Sequence, residues 1–368
     1  MTRPGVILLA IAAALLAAAP AVALFEGTDE EEIGKKTDQE IVKGYGLYED
    51  ERVQEYVRGV GRRVLEKVAQ PEFEYHFKVV DHEMINAFAL PGGYIYITRG
   101  LLAALNSESA LAGVLGHEIG HVIGHHSVKQ MKKSIAQTLL ALGGLAVSQD
   151  VRENAAAWLT VTTTLSGQIL SGYGREMEVE SDQVGMILAH DAGYDPEGIV
   201  HFLKSLRTFE QLGAQTYHGF MATHPDTISR IIETEGKAGL LAARDGVYNL
   251  QRDRYLDAIE GLRYGTPKRK GLTYPPYKIH IHTVEAGDTF RSLAATYSKD
   301  ATLGLETAAL NGMELDGALA PGMRVKTLIP AETVIREIKM KKKNGEEETQ
   351  DEVSPGTGDG EKRPPGGR

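Results

Sequence analysis

The chain has 368 residues, a formal net charge of -10 and no cysteine. Disulfides, thiolate metal sites and cysteine nucleophiles are therefore excluded, and any metal must be held by His, Asp or Glu. A single tryptophan and the lack of a broad basic face give no reason to expect a nucleic-acid partner.

The first element is an apolar run from Val6 to Ala19, preceded by Arg3 and followed by Ala21-Val22-Ala23. Its length and small-residue flank predict a signal peptide over residues 1–23, cleaved after Ala23, and hence export. No cysteine follows the run, which excludes lipid attachment of the bacterial lipoprotein kind. From Glu30 to Gln70 the pattern is helical, with Val53, Tyr56, Val57, Val60 and Val64 on one stripe. Phe73 to Val80 alternates as a strand. Ala87 to Gly93 reads as a turn, and Tyr94 to Thr98 as a second, β-rich strand. Ser107 to His126 reads as one long helix with Ser107 or Ser109 as N-cap.

Two apolar stretches follow, Ile135–Val147 and Ala155–Leu170, broken by Gly143-Gly144 and diluted by threonines. Neither is a continuous membrane span, so helices that are buried or cover a cleft are expected, with peripheral membrane contact as the lesser expectation. Another helix is expected from Gly174 to Asp191. A linker over 266–276 separates the large domain, 24–265, from a small unit, 277–330. The tail over 331–368 is polar and charged, has few large apolar residues and is expected to be disordered.

The chemistry concentrates in His117-Glu118-Ile119-Gly120-His121. Two His at i and i+4 on a helix share a face and can hold one ion. Zinc takes about four ligands, one of which is water in a catalytic site. Glu118 would then lie beside the metal as general base for an attacking water. The flanking Val114, Leu115, Val122 and Ile123 imply a buried helix, where unpartnered His and Glu would be costly. A third His six residues after His121 would complete another zinc pattern, but that position is Ser127. A later carboxylate must serve instead. Glu178 and Asp182 share a helical face, so Glu178 can reach the metal while Asp182 supports a ligand His. Spacing leaves Glu178 ahead of Glu176 and Glu180 without deciding among them.

Four segments together resemble the zinc metallopeptidase family that includes HtpX, the CaaX prenyl proteases and the periplasmic protease BepA. They are Asn86 to Tyr96, Gly116 to His121 with His126, Glu178 to Asp182, and Thr223-His224-Pro225-Asp226-Thr227 with Arg230. The resemblance implies an α+β, mostly helical fold of the gluzincin type, one Zn2+ per chain, and Glu178 as third ligand. It also implies that His224 takes the fourth zinc position in a latent form or stabilises the oxyanion in an open one. The strand Tyr94-Ile95-Tyr96 would be the edge to which a peptide substrate adds. Ser181 departs mildly from the small apolar residue usual in the family.

Residues Tyr277 to Pro330 resemble a β-α-α-β LysM module, through His282 to Phe290, Leu310-Asn311-Gly312 and Pro321 to Val325. The resemblance implies binding of N-acetylglucosamine chains, with Gly287, Asp288, Thr289 and Asn311 at the glycan. The resulting expectation is a periplasmic zinc endopeptidase, tethered to peptidoglycan, that acts on misfolded or stalled envelope proteins. Its rivals are a zinc amidase of peptidoglycan and a chaperone or assembly factor with a latent metal site.

Overall fold

A computed structural model describes residues 29–141, 172–210, 219–225, 227–245, 250–266 and 277–331. The expected signal peptide lies outside them, as do most of the 266–276 linker, nearly all of the 331–368 tail, and the apolar stretches beyond Ala141.

The chain begins with two capped helices, α1 (Glu30–Tyr45) and α2 (Glu51–Leu65), whose N-caps are Asp29 and Asp50. Strands β1 (His76–Val80), β2 (Ala87–Leu90) and β3 (Tyr94–Thr98) form a sheet in the order β1-β3-β2. β3 is parallel to β1 and antiparallel to β2. The turn expected over Ala87–Gly93 is confined to Pro91-Gly92-Gly93, and Ala87–Leu90 is a fully buried strand. The reason is pairing: Ala87 and Ala89 face Ile97 and Ile95 across the hairpin, which local turn signals cannot reveal.

The short helix α3 (Arg99–Ala104) leads to the central helix α4 (Glu108–Ile123), capped by Ser107 Oγ, which accepts from Ala110 N at 3.0 Å. Every α4 residue from Glu108 to Val122 is buried. The single helix expected to reach His126 ends at Ile123 instead. His125 adopts a left-handed conformation (φ 50°), and a new helix, α5 (His126–Ala141), starts at once.

Helices α6 (Arg175–Asp191), α7 (Glu197–Glu210), α8 (Gly219–Thr223), α9 (Thr227–Asp245) and α10 (Arg252–Ile259) surround α4. The α4–α6 approach depends on glycine. A Cβ on Gly116 would meet Gly185 O at 2.6 Å, and one on Gly185 would meet His117 N at 2.4 Å. One turn on, Ser181 backs onto Gly120, where a larger side chain would wedge the helices apart.

The C-terminal unit holds β5 (Tyr277–Thr283), α11 (Phe290–Tyr297), α12 (Gly304–Leu310) and β6 (Arg324–Pro330). A strand from before the expected linker, β4 (Arg263–Tyr264), joins it in the order β4-β5-β6. Ile279, Leu328, Ala309 and Leu310 belong to the same apolar core as Leu102, Ala103, Tyr255 and Leu256. Among the described residues, no helix is long and apolar enough to cross a membrane.

Candidate metal centre

α4 carries His117 and His121 on one face, and the close α6 crossing brings Glu178 to them. His224, just after α8, closes the group. One donor atom from each of the four residues lies within 4.8 Å of the others, and all four side chains are buried. His117 Nε2 is 2.9 Å from His121 Nε2 and 3.2 Å from His224 Nδ1. Glu178 Oε1 is 3.5 Å from His121 Nε2 and 3.0 Å from His224 Nδ1, and Glu178 Oε2 is 3.6 Å from His117 Nε2.

The outer partners test whether a cation fits. Asp182 Oδ1 lies 2.9 Å from His117 Nδ1, close though imperfectly aligned. It places the imidazole proton there and leaves Nε2 with its lone pair. His126 Nε2 points towards Glu180 at 3.4 Å, so His126 Nδ1 can accept from His121 Nδ1 at 2.9 Å, beside Ser181 Oγ at 3.2 Å. The Nε2 atoms of His117 and His121 then face each other as two lone pairs beside a carboxylate. Such a set repels itself unless a cation lies between, so these residues fit a zinc ion.

Arg230 locks the carboxylates. Fully buried on α9, it donates from Nε and Nη2 to Asp182 at 2.7 Å each, contacts Glu178 Oε2 from Nη1 at 2.6 Å, and donates to His224 O at 3.2 Å. Burial alone would raise the Asp182 carboxyl, but Arg230 and His117 bring it down to about 2. Burial likewise opposes the Glu178 charge, yet His224, His121 and Arg230 together hold it well below the usual carboxylate range. His121 is pushed well down by desolvation. His224 is raised despite its burial, by the charges of Glu178 and Glu118.

Glu118 differs from the other two carboxylates. It is fully buried, and neither carboxylate oxygen has a hydrogen-bond partner. Its closest cationic neighbour is His224 Nε2 at 3.5 Å. Desolvation raises its pKa, with His224 and His117 opposing. A carboxylate left unsatisfied and raised in this way is suited to take a proton.

Two expected features are placed elsewhere. β3, with Tyr94, Ile95 and Tyr96, is the central strand, paired on both sides, and is not an edge. The strand at the metal is β2. Ala87 O accepts from His224 Nε2 at 3.2 Å, and Ala89 O accepts from Ser127 Oγ at 3.0 Å and Tyr173 OH at 3.4 Å. Asn311 is buried and fully engaged: Nδ2 donates to Thr307 O and Lys326 O, and Oδ1 accepts from Lys326 N. It has no amide group left for a glycan. Gly287 and Thr289 are exposed, and Asp288 is held by His282 Nε2 and Glu285 N at 2.8 Å each.

The sequence places Arg230 and His126 within the family-like segments without a role for either. His126 hydrogen-bonds His121 at 2.9 Å, and Tyr173 stacks on the His121 ring at 4.0 Å. Neither follows from helical spacing. His126 is five residues from His121 and reaches it only because the helix breaks at Gly124-His125.

The description of peptidase family M48 matches residues 51–238, a span that contains the whole donor set and Arg230. The chain belongs to peptidase family M48. It is a metallopeptidase by that membership, and its donor cluster is consistent with a single zinc. It is similar to the beta-barrel assembly-enhancing protease of Escherichia coli (strain K12), with 26% identity over 62% of this chain and 47% of that protein. The putative beta-barrel assembly-enhancing protease of Vibrio cholerae is 27% identical over 78% of this chain and 55% of that protein. The mitochondrial metalloendopeptidase OMA1 of Schizosaccharomyces pombe is 28% identical over 49% and 51%. The chain thus spans about half the length of the curated relatives it matches.

Proposed function

We propose that the protein is an exported zinc endopeptidase that hydrolyses peptide bonds of misfolded or stalled proteins of the bacterial envelope. The observation that carries this reading is the buried meeting of His117, His121, Glu178 and His224 beside an unsatisfied Glu118. In it, His117, His121 and Glu178 are the ligands, Asp182 and His126 orient the two imidazoles, and Glu118 is the general base. Zinc, when bound, supplies a Lewis acid and makes a water acidic near neutral pH. Glu118 takes the proton of the attacking water and, with its raised pKa, can pass it to the leaving amine. His224 sits among the donors as a latch on the fourth position.

β2 is the strand to which a substrate backbone would add, because its outward carbonyls at Ala87 and Ala89 lie at the centre. His224, Ser127 and Tyr173 now occupy them, so a bound peptide must displace the same histidine that fills the donor set. The signal-peptide pattern over 1–23 and the names of the bacterial relatives support an envelope setting. A tether to peptidoglycan rests on the exposed loop Gly287-Asp288-Thr289 without Asn311.

Metal content tests the ligand set: Glu178→Gln should purify with markedly less zinc than wild type, and equal zinc would remove Glu178 from it. Glu118→Gln should keep its zinc while casein cleavage drops by about 10²–10⁴. Release of muropeptides from purified sacculi without any casein cleavage would replace the peptidase by an amidase.

A further inference from the structure

The C-terminal unit sends one fully buried cation into the large domain. Lys326, on β6, donates from Nζ to Ala103 O at 2.7 Å and to Leu105 O at 2.8 Å. These carbonyls lie at the end of α3, where the chain turns into the Leu105-Asn106-Ser107 loop. Ser107 is the N-cap of α4, the helix of His117 and His121. Arg252 grips the same loop, donating to Asn106 O at 3.1 Å and to Arg324 O on β6 at 3.1 Å. Asn311 in turn fixes Lys326 by bonding both its N–H and its carbonyl, at 2.9 Å each. Gly312 approaches closely, since a Cβ there would lie 3.3 Å from Asn106 Nδ2. Asn311, expected at a glycan groove, therefore fixes the lysine that holds the loop launching the metal helix.

A buried ammonium whose strongest electrostatic neighbour is another cation, Arg252, is an expensive way to fill space. An apolar side chain of similar length would bury more cheaply. What the Lys326 ammonium supplies is two directed bonds, to Ala103 O and Leu105 O, where α3 passes into that loop. α4 is buried from Glu108 to Val122, so a shift of its first turn is carried to His117 and Glu118 about 15 Å further along. Catalysis is sensitive to errors of that kind.

The geometry points to Lys326 as a positioning residue of the peptidase: the C-terminal unit is a brace on the start of the catalytic helix, and activity depends on that brace. The inference rests on the metallopeptidase reading, and wild-type casein cleavage tests that reading first. Lys326→Met is then compared, in the full chain, with Phe290→Leu, which thins the buried core of the C-terminal unit without touching the loop. The brace predicts that Lys326→Met lowers kcat about tenfold with KM nearly unchanged, while Phe290→Leu leaves both in place. It also predicts faster amide hydrogen exchange in residues 105–111 of Lys326→Met alone, a readout that needs no activity. Should Lys326→Met not accumulate as folded protein, Asn311→Ser, which loosens the Lys326 backbone and keeps its ammonium, carries the same expectations. Equal kcat and equal exchange in the two variants would overturn the inference. A protein without peptidase activity that still shows the exchange difference would keep the brace and discard the catalytic reading.

Discussion

The metal centre and the C-terminal unit both bury charge, but they compensate it in opposite ways. At the centre, Arg230 faces two carboxylates, Asp182 and Glu178, and Asp182 in turn faces His117. In the C-terminal unit, Lys326 faces only two backbone carbonyls. The first arrangement is a closed network in which each member holds its neighbours' charge states. The second is a single peg. The difference decides what a substitution should do: removing one member of the network strands a buried charge, whereas removing the peg strands only dipoles.

The largest effect separating the two is on stability. In metal-free protein, Arg230→Leu leaves Asp182 and Glu178 buried without their cation and should cost about 3–5 kcal/mol in urea unfolding. Lys326→Met orphans two carbonyls and should cost less, about 1–3 kcal/mol. Equal losses would mean that the centre is not a network of the kind described.

A smaller effect should appear with pH. Asp182 is lowered from 3.8 to about 2, so it stabilises the fold above its unfolded value and loses that contribution as pH falls through about 2. Wild type should lose roughly 2 kcal/mol from this group between about pH 5 and pH 2. Asp182→Asn should show a correspondingly flatter pH dependence over that window. An unchanged slope would mean that Arg230 does not hold the Asp182 charge. The C-terminal peg, having no carboxylate, contributes nothing to this slope and serves as the internal contrast.

The same contrast explains what could be read from the sequence. The zinc motif was legible because helical periodicity alone puts His117 and His121 on one face and Glu178 and Asp182 on another. The close crossing that joins those faces was not legible, since Gly116 and Gly185 lie 69 residues apart and nothing local shows that they touch. His126 escaped because its role depends on His125 adopting a left-handed conformation, which the neighbouring Gly124 alone does not announce. The edge strand was misplaced because order within a sheet is a tertiary property: β2 and β3 have similar apolar patterns, and only the parallel partner β1 makes β3 central. In the small unit the β-α-α-β order of elements was legible. The burial of Asn311 was not, because it is set by docking against the large domain and leaves no local trace.

The last test sharpens the centre's own side of the comparison, by asking which member of the buried cluster is a lock and which a support. His224 differs from Asp182 and Arg230 in touching both the donor set and the β2 edge, through Nδ1 to Glu178 and Nε2 to Ala87 O. A support should lower activity when removed. A lock should raise it, by the factor through which it depletes the open form. His224→Ala should therefore speed casein cleavage, by roughly tenfold if the latch holds the closed form by about 1.4 kcal/mol. The zinc content should stay near wild type, because His117, His121 and Glu178 remain. An unchanged rate would leave His224 as a bystander in the cluster, and a lower one would assign it to the reaction itself, as a donor to the oxyanion. Either result would still leave Ala87 O and Ala89 O of β2 beside the donor cluster, so the route by which a peptide enters would have to be tested there.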